Sequence, residues 1–259
     1  YRVHPEPDPD KLETLFGVLS RTELGLSLPS EPTPKGLQQL VERSRGTDLE
    51  FLASRLLLRS MMQARYHTVN AGHYGLASEC YCHFTSPIRR YADLCVHRAL
   101  KAVLRGEAQP TTARRLQTVC DTLSLRERAA MEAEREMLKR AAVLFLRDKT
   151  GQQFEGVVSS LSDFGFWVEL PEVLCEGLVR LSTLTDDYYA LFPERQELLG
   201  QRTGRRFRLG QRVRVTLEDV SLARLEVNLA LADDRTGLPR RQQRKLAGKA
   251  GGKKGRRAR

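Results

Sequence analysis

The stretch GQQFEGVVSSLSDFGFWVEL, residues 151–170, decides the fold because the spacing of its apolar residues changes from helical to alternating. Upstream of it, residues 1–148 have a mainly helical pattern, in which Pro9 and Pro34 each open a candidate helix. From Gly151 onward, alternating apolar residues separated by turn residues are typical of short strands. The sequence therefore predicts a helical first part and a strand-rich second part.

Five strand candidates follow in the second part, around residues 154–158, 164–170, 177–181, 212–218 and 225–230. Short strands at this spacing, with a longer insertion at residues 182–208, predict a small closed barrel of the OB type, with a plain β-sandwich as the alternative. The predicted fold class is α+β. We expect helices in residues 1–148, the five-stranded barrel in residues 149–235 and a disordered tail in residues 236–259.

The formal net charge of +11 is concentrated in the last 22 residues. This segment has no acidic residue and ten basic ones: Arg240, Arg241, Arg244, Lys245, Lys249, Lys253, Lys254, Arg256, Arg257 and Arg259. Such a tail cannot bury a core, and clustered cations gain affinity for nucleic acid by releasing counterions. We expect it to bind a polyanion, with ribosomal RNA as a candidate. The alternative is a solubilising end; the tail lacks the aromatic anchors of a membrane-binding segment.

The five cysteines are an odd number without a disulfide-framework pattern, which predicts a reducing, cytoplasmic environment. Cys80, Cys82 and His83 have no matching second pair of ligands downstream, so we predict no metal site there. No apolar run reaches the length of a membrane span, and a membrane partner is not expected.

Residues 83–91, HFTSPIRRY, predict a helix start that can receive a phosphate. Ser86 can cap the helix and Pro87 suits its first turn, while residues 88–104 keep apolar residues at helical spacing. Arg89 and Arg90 then lie in the first turn, where cations oppose the helix dipole. A bound phosphate would resolve that conflict, since backbone N–H groups, the dipole and the guanidinium groups would all hold it. The alternative is a surface arginine pair.

These residues carry a family resemblance. The motifs LLRSM (57–61), GHYGLAS (72–78) and HFTSPIRRY (83–91) closely resemble the C-terminal part of the catalytic domain of the RNB family, which comprises ribonuclease II and ribonuclease R. The motifs GVV (156–158), DFGFWV (163–168) and EGLV (176–179) resemble the S1-type OB domain that follows it in that family. The domain order and the basic tail favour the ribonuclease R branch.

The resemblance implies a processive 3′-to-5′ exoribonuclease that hydrolyses single-stranded and structured RNA to nucleoside 5′-monophosphates. In the family this reaction uses Mg²⁺ held by a cluster of aspartates, and a cluster with that spacing is not found in this sequence. We therefore expect a truncated C-terminal portion, inactive alone, of an enzyme that is monomeric when complete. The alternatives are a non-catalytic RNA-binding module and a general nucleic-acid-binding protein that also takes DNA.

By the same resemblance, the phosphate-contacting arginine of the family falls on Arg89, which would stabilise charge in the transition state. Ser86, Arg90 and Glu134 are the candidate substrate-binding residues. For Arg90 the alternative is an ion pair with Asp93 at i+3, and for Glu134 a solvated position on a charged helix. We interpret His73, His83 and His97 as packed, hydrogen-bonded side chains.

In the barrel, Phe164 and Phe166 are predicted to share one face of the second strand and to stack on RNA bases. A regular strand places Trp167 on the opposite side, where it would fill the barrel. Arg180 stands where S1-type domains commonly have a histidine, so its guanidinium is predicted to stack in place of imidazole. Arg214 and Arg224 are further candidates for phosphate contact, with surface charges as the alternative.

Overall fold

The computed structural model describes residues 1–232, apart from the side chains of Leu26 and Ser27. The described residues form two compact units: residues 1–45 with 53–135, and residues 46–52 with 136–232. The predicted disorder of residues 236–259 and their proposed RNA contacts lie outside the described residues. No helix in the described part is both long enough and apolar enough to cross a membrane.

The helices of the first part begin where the sequence provides capping residues. Asp8 accepts a hydrogen bond from the Asp10 N–H at the first helix, and Thr33 accepts one from the Gly36 N–H at the second, with a proline in the first turn of each. The described helices are Pro9–Leu19 (α1), Pro34–Ser44 (α2), Glu50–Ser60 (α3), Tyr91–Arg105 (α4) and Ala113–Leu146 (α5). Two short strands, Arg2–Val3 (β1) and Arg65–Tyr66 (β2), pair antiparallel beside them.

The second part forms the predicted closed barrel. Its strands are Gln153–Leu161 (β3), Gly165–Leu170 (β4) and Cys175–Arg180 (β5), followed after the insertion by Arg212–Ser221 (β9) and Glu226–Leu231 (β10). The hydrogen-bonded order is β10-β5-β4-β3-β9; β10 pairs with β5 in parallel and with β9 antiparallel, which closes the barrel.

The insertion contributes a sheet of its own. Its strands, Tyr189–Phe192 (β6), Glu197–Gly200 (β7) and Arg206–Arg208 (β8), pair antiparallel in chain order. Leu198 and Phe207 from this sheet are fully buried in the core of the barrel. The insertion is therefore packed structure rather than a loop.

The barrel core confirms the alternation that predicted the strands. Val213, Val215 and Leu217 of β9 all point inward and are almost fully buried, as their shared face predicted. Close packing also explains Gly177, because a Cβ there would lie 2.5 Å from Leu229 Cδ1. The fold class is α+β, with a helical part followed by a five-stranded closed barrel.

Candidate nucleic-acid interface

The segment before α4 is a turn rather than the first turn of a helix. The Ser86 carbonyl accepts hydrogen bonds from the N–H groups of Arg89 (3.3 Å) and Arg90 (3.1 Å), and α4 begins only at Tyr91. The prediction of a helix capped by Ser86 is wrong: Arg90 is the N-cap residue of α4, and the Ser86 N–H donates to Asp93 Oδ2 at 2.7 Å. That bond ties the segment back onto the helix and closes the turn.

The two adjacent arginines have different surroundings. Arg90 donates to Asp93 Oδ2 at 2.9 Å, and Asp93 is fully buried. Burial alone would raise the pKa of Asp93, but the hydrogen bonds from the Ser86 amide and the Arg90 guanidinium lower it. The ion-pair interpretation of Arg90 is therefore the one that the structure supports, and its charge is already balanced by a carboxylate.

Arg89, in contrast, is exposed, and within residues 1–232 its side chain has no hydrogen bond or ion pair. Its neighbour Ile88 is fully exposed as well. Because Arg90 is neutralised and Arg89 is not, the turn presents one guanidinium with all its donors free. A phosphate can bind it through two parallel N–H···O bonds.

Two histidine side chains hold the segment of the chain that leads into this turn. His97 Nε2 lies 2.8 Å from the Phe84 carbonyl oxygen and its ring stacks on the Phe84 ring with centroids 4.1 Å apart. His83 Nδ1 lies 2.9 Å from the Tyr66 hydroxyl, and burial, reinforced by Arg90, lowers the pKa of His83. Both side chains are packed and hydrogen-bonded, as predicted. The position of Arg89 is thus held by several contacts before any ligand arrives.

The aromatic residues of the barrel are arranged differently from the prediction. Phe166 is fully buried and its ring stacks on Phe207 with centroids 4.7 Å apart, so the prediction that it stacks on RNA bases is wrong. Phe164 is 53% exposed and makes an edge-to-face contact with Trp167 at 5.5 Å. Trp167 is partly exposed and therefore does not fill the barrel.

A turn at the start of β4 explains the difference. Ser162 and Gly165 exchange hydrogen bonds, with the Gly165 carbonyl accepting from the Ser162 N–H at 2.9 Å and the Ser162 hydroxyl at 2.8 Å. Phe164 therefore lies in the turn, and alternation starts at Gly165. This puts Phe166 inside and Trp167 outside. Val168 and Leu170 share the face of Phe166 and are buried with it, so these two apolar residues are the signal that could have placed Phe166 inside.

Arg180 lies on the same outer face as Trp167. In the register of β4 and β5, Gly165 is opposite Arg180 and Trp167 is opposite Leu178. Arg180 is exposed, and its side chain has no hydrogen bond or ion pair in the described part of the chain. Two aromatic rings beside a free guanidinium form a surface that can stack bases and contact a phosphate. We call Phe164, Trp167 and Arg180 the aromatic face.

Comparisons with known proteins agree with both parts of this description. Residues 1–106 match the RNB domain, and residues 147–231 match the S1 RNA binding domain. Ribonuclease R of Aquifex aeolicus (strain VF5) is 43% identical over 235 residues, which cover 90% of this chain and 33% of that protein. The chain belongs to the RNB family.

Further relatives support the same assignment. Ribonuclease R of Escherichia coli (strain K12) is 38% identical over 275 residues, covering 98% of this chain and 34% of that protein. Among solved structures, Mycoplasma genitalium RNase R in complex with ribose methylated single-stranded RNA superposes with a TM-score of 0.79 at 29% identity, over 89% of this chain and 37% of that one. The chain thus spans about a third of the length of the curated relatives it matches.

Glu134 of the RNB–S1 chain lies on α5, where residues 131–140 are all exposed. No hydrogen bond or ion pair joins Glu134 to another residue of the described chain. Its proposed role near the terminal nucleotide stays a prediction, because the structure shows a solvated glutamate.

The remaining arginines of the S1 barrel are paired with carboxylates. Arg214 Nε lies 2.8 Å from Glu155 Oε1 on the neighbouring strand, and Arg224 Nε lies 3.2 Å from Glu226 Oε2. An RNA phosphate would have to compete with these carboxylates. Arg214 and Arg224 are therefore weaker candidates than Arg180, and their RNA contacts also stay predictions.

A divalent metal has no fitting set of ligands in the described residues, where no three His, Cys, Asp or Glu side chains cluster. The five cysteines are free, with Cys120 and Cys175 buried. Burial raises the pKa of the Cys120 and Cys175 thiols, which keeps them protonated and poor ligands.

Proposed function

We propose that this chain is the RNA-holding portion of a 3′-to-5′ exoribonuclease of the RNB family. In this proposal the aromatic face of the S1 barrel binds single-stranded RNA, and Arg89 stabilises the charge that develops on the scissile phosphate. The proposed products are nucleoside 5′-monophosphates, and both single-stranded and structured RNA are proposed substrates. The family assignment and the relatives named ribonuclease R support the proposal.

One observation carries the role of Arg89: it is an exposed arginine in a turn held by hydrogen bonds, next to an arginine already neutralised by Asp93. The backbone that carries this guanidinium is already held in place, so only the side chain has to reorganise to stabilise a developing negative charge. The proposed hydrolysis also depends on Mg²⁺, for which the described residues provide no site. We therefore assign Arg89 to charge stabilisation and assign no metal chemistry to this chain's described residues.

The test compares Arg89→Ala with Arg105→Ala, a control at the other end of α4 whose arginine lies 3.9 Å from Glu107. It uses the protein as isolated from its source, after its intact mass has been compared with 29.4 kDa. With Mg²⁺ and a 5′-labelled RNA, Arg89→Ala should lower kcat by about 10²–10³-fold, the cost of removing one oxyanion donor. Its RNA affinity should change by less than about threefold, since charge stabilisation acts mainly in the transition state. Arg105→Ala should behave like the wild type.

Equal turnover by Arg89→Ala and the wild type would contradict the role of Arg89. A second candidate function, a non-catalytic RNA-binding module, is favoured by the lack of a metal-ligand cluster in residues 1–232. A native mass of 29.4 kDa together with RNA binding but no turnover would support that module and overturn the nuclease proposal. Competition between RNA and DNA oligomers of equal length would then show whether the 2′-hydroxyl is recognised.

A further inference from the structure

The insertion sheet β6–β8 has one buried face and one outer face. Leu198 and Phe207, which are paired in register, point into the barrel core. The neighbouring register positions have their side chains on the opposite face, because side chains alternate along a strand. There Glu197 of β7 lies between Phe192 of β6 and Arg208 of β8.

Three arginines surround Glu197 on this outer face. Arg208 Nε donates to Glu197 Oε2 at 2.9 Å, whereas Arg206 Nη1 lies 3.9 Å from Oε2 and Arg195 Nη1 lies 3.8 Å from Oε1. Glu197 is almost fully buried, and its Oε1 has no hydrogen-bond partner in the described chain. One carboxylate therefore faces three guanidinium groups and directly bonds one of them.

The guanidinium groups of Arg195 and Arg206 are left with free donors. Both side chains are about half exposed, and neither makes a hydrogen bond within residues 1–232. Arg195 also lies 3.9 Å from the exposed Glu194, a separation too long for a hydrogen bond. The two guanidinium groups can thus bind phosphate oxygens without breaking a hydrogen bond of the protein.

An aromatic ring lies beside these cations. The guanidinium carbon of Arg195 is 5.8 Å from the centroid of the Phe192 ring, and Phe192 is partly exposed. Stacking rings next to cations are the combination that holds single-stranded nucleic acid without sequence preference. We call Phe192, Arg195, Arg206 and Arg208 the insertion face.

We propose that the insertion face is a second RNA-contacting surface of the S1 barrel and binds the backbone of single-stranded RNA. It is separate in sequence and strand from the aromatic face, whose residues lie in the turn before β4 and on β4 and β5. The inference rests on the proposed RNA-binding function. Charge complementarity favours RNA as the ligand, because a phosphate matches the guanidinium fork and a nucleobase can stack on Phe192.

The test uses the full chain and a fluorescent single-stranded oligouridylate, with affinity measured over a range of salt concentrations. The double variant Arg195→Gln/Arg206→Gln should weaken binding about 5–20-fold. It should also lower the slope of log K against log salt by about 0.7 for each phosphate that the protein no longer neutralises. The matched control is Arg147→Gln, an exposed arginine paired with Asp148, which should keep the wild-type affinity and slope. Wild-type values for the double variant would overturn the proposal.

Glu197→Gln provides a test with the opposite sign. It keeps an acceptor for Arg208 and removes the buried negative charge that faces all three arginines, so RNA affinity should rise about 2–5-fold at low salt. A fall in affinity in a variant with the wild-type melting temperature would contradict the proposal. A competition experiment gives a further check. If polyaspartate displaces the bound RNA as effectively as a competing RNA of equal charge, the proposal is contradicted, because the surface would then recognise acidic protein.

Trp167→Ala separates this inference from the proposed function. If Trp167→Ala weakens RNA binding and Arg195→Gln/Arg206→Gln does not, the insertion face is excluded while the aromatic face stands. If the wild-type chain binds no RNA, the proposed function itself fails.

Discussion

The S1 barrel and the RNB segment differ in where their apolar side chains lie. The barrel has a continuous buried core that includes Phe166 and Phe207. It is formed by the strands, the end of α5 and the insertion sheet. In the RNB segment, α3 buries Leu52 and Leu56, but α3 and α4 also leave large apolar residues exposed, with Leu58 at 70%, Val103 at 62% and Leu104 at 77%. The barrel is thus held mainly by its core, whereas the turn that carries Arg89 is held by polar contacts to Asp93 and His97.

The two parts also differ in their titratable groups. All five histidines lie between residues 4 and 97 and none in the barrel: His4, His67, His73, His83 and His97. The barrel instead contains a buried carboxylate, Asp187, that accepts hydrogen bonds from Tyr188, Arg202 and Thr203. Burial opposes its ionisation, but these hydrogen bonds hold the pKa of Asp187 well below its ordinary value. As the pH is lowered, the RNB segment should therefore lose stability at a higher pH than the barrel does.

The largest expected effect is the difference in stability between a variant of a barrel core residue and a variant of an exposed residue of α4. Phe166→Ala should lower the free energy of unfolding of the barrel by about 3–5 kcal/mol, since it removes a fully buried ring stacked on Phe207. Leu104→Ala should change the stability by no more than about 0.5 kcal/mol. Urea unfolding of the full chain checks both, because Trp167, the one tryptophan of the sequence, reports on the barrel and circular dichroism on the helices.

If Leu104→Ala lowered the free energy of unfolding as much as Phe166→Ala does, the contrast between the two parts would be contradicted. It would show that the outer face of α4 is covered in solution.

A buried polar group of the barrel should give the next largest effect. In Asp187→Asn an amide NH₂ replaces one oxygen of a carboxylate that accepts from the N–H groups of Tyr188, Arg202 and Thr203 and from the Thr203 hydroxyl. A buried donor then loses its acceptor, which costs about 1–3 kcal/mol. The urea midpoint measured by Trp167 fluorescence should fall.

Asp148→Asn is the matched control for Asp187→Asn, because the Asp148 carboxylate is 80% exposed. Exposed ion pairs contribute about 0–1 kcal/mol, so this variant should unfold close to the wild type. Similar midpoints for the two variants would show that the Asp187 hydrogen bonds do not stabilise the barrel.

The sequence predicts most of the barrel because its strands alternate clearly and lie close together in the chain. Inward-facing Val213, Val215 and Leu217 could be read directly from a two-residue period. The alternation in β4 was read correctly, but its buried face was assigned wrongly, because Phe166 shares its face with Val168 and Leu170, which are buried in the core. Phe164 escapes that burial because it lies in the hydrogen-bonded turn before the strand, so it cannot show which face of β4 is exposed.

The candidate site was harder to predict because its decisive contacts join separated residues. Arg89 was identified from the motif, but its surroundings depend on Asp93, whose carboxylate binds the Ser86 amide seven residues upstream. Glu197 gave no signal in the sequence, since its arginine partners come from both β8 and the turn after β6. Local patterns predict helices, strands and single residues; they do not predict which charges a buried carboxylate neutralises.

The smallest expected effect is a pH dependence that separates the two parts. Burial is the main cause that lowers the pKa values of His4, His73 and His83 below the ordinary 6.5. Between pH 6.5 and these lower values the unfolded chain binds more protons than the folded one, so stability falls as the pH falls. For Asp187, whose pKa is lowered, the loss of stability begins only as the pH drops below the ordinary carboxyl value of 3.8.

Urea unfolding at pH 7.5 and pH 5.0 measures this difference. The midpoint of the helical signal should be lower at pH 5.0, while the Trp167 signal of the barrel should unfold at nearly the same urea concentration at both pH values. His83→Gln should reduce the pH dependence of the helical signal, because it removes one group that the unfolded chain protonates more readily. Equal shifts of both signals would contradict this assignment and show that the RNB segment and the S1 barrel unfold as one cooperative unit.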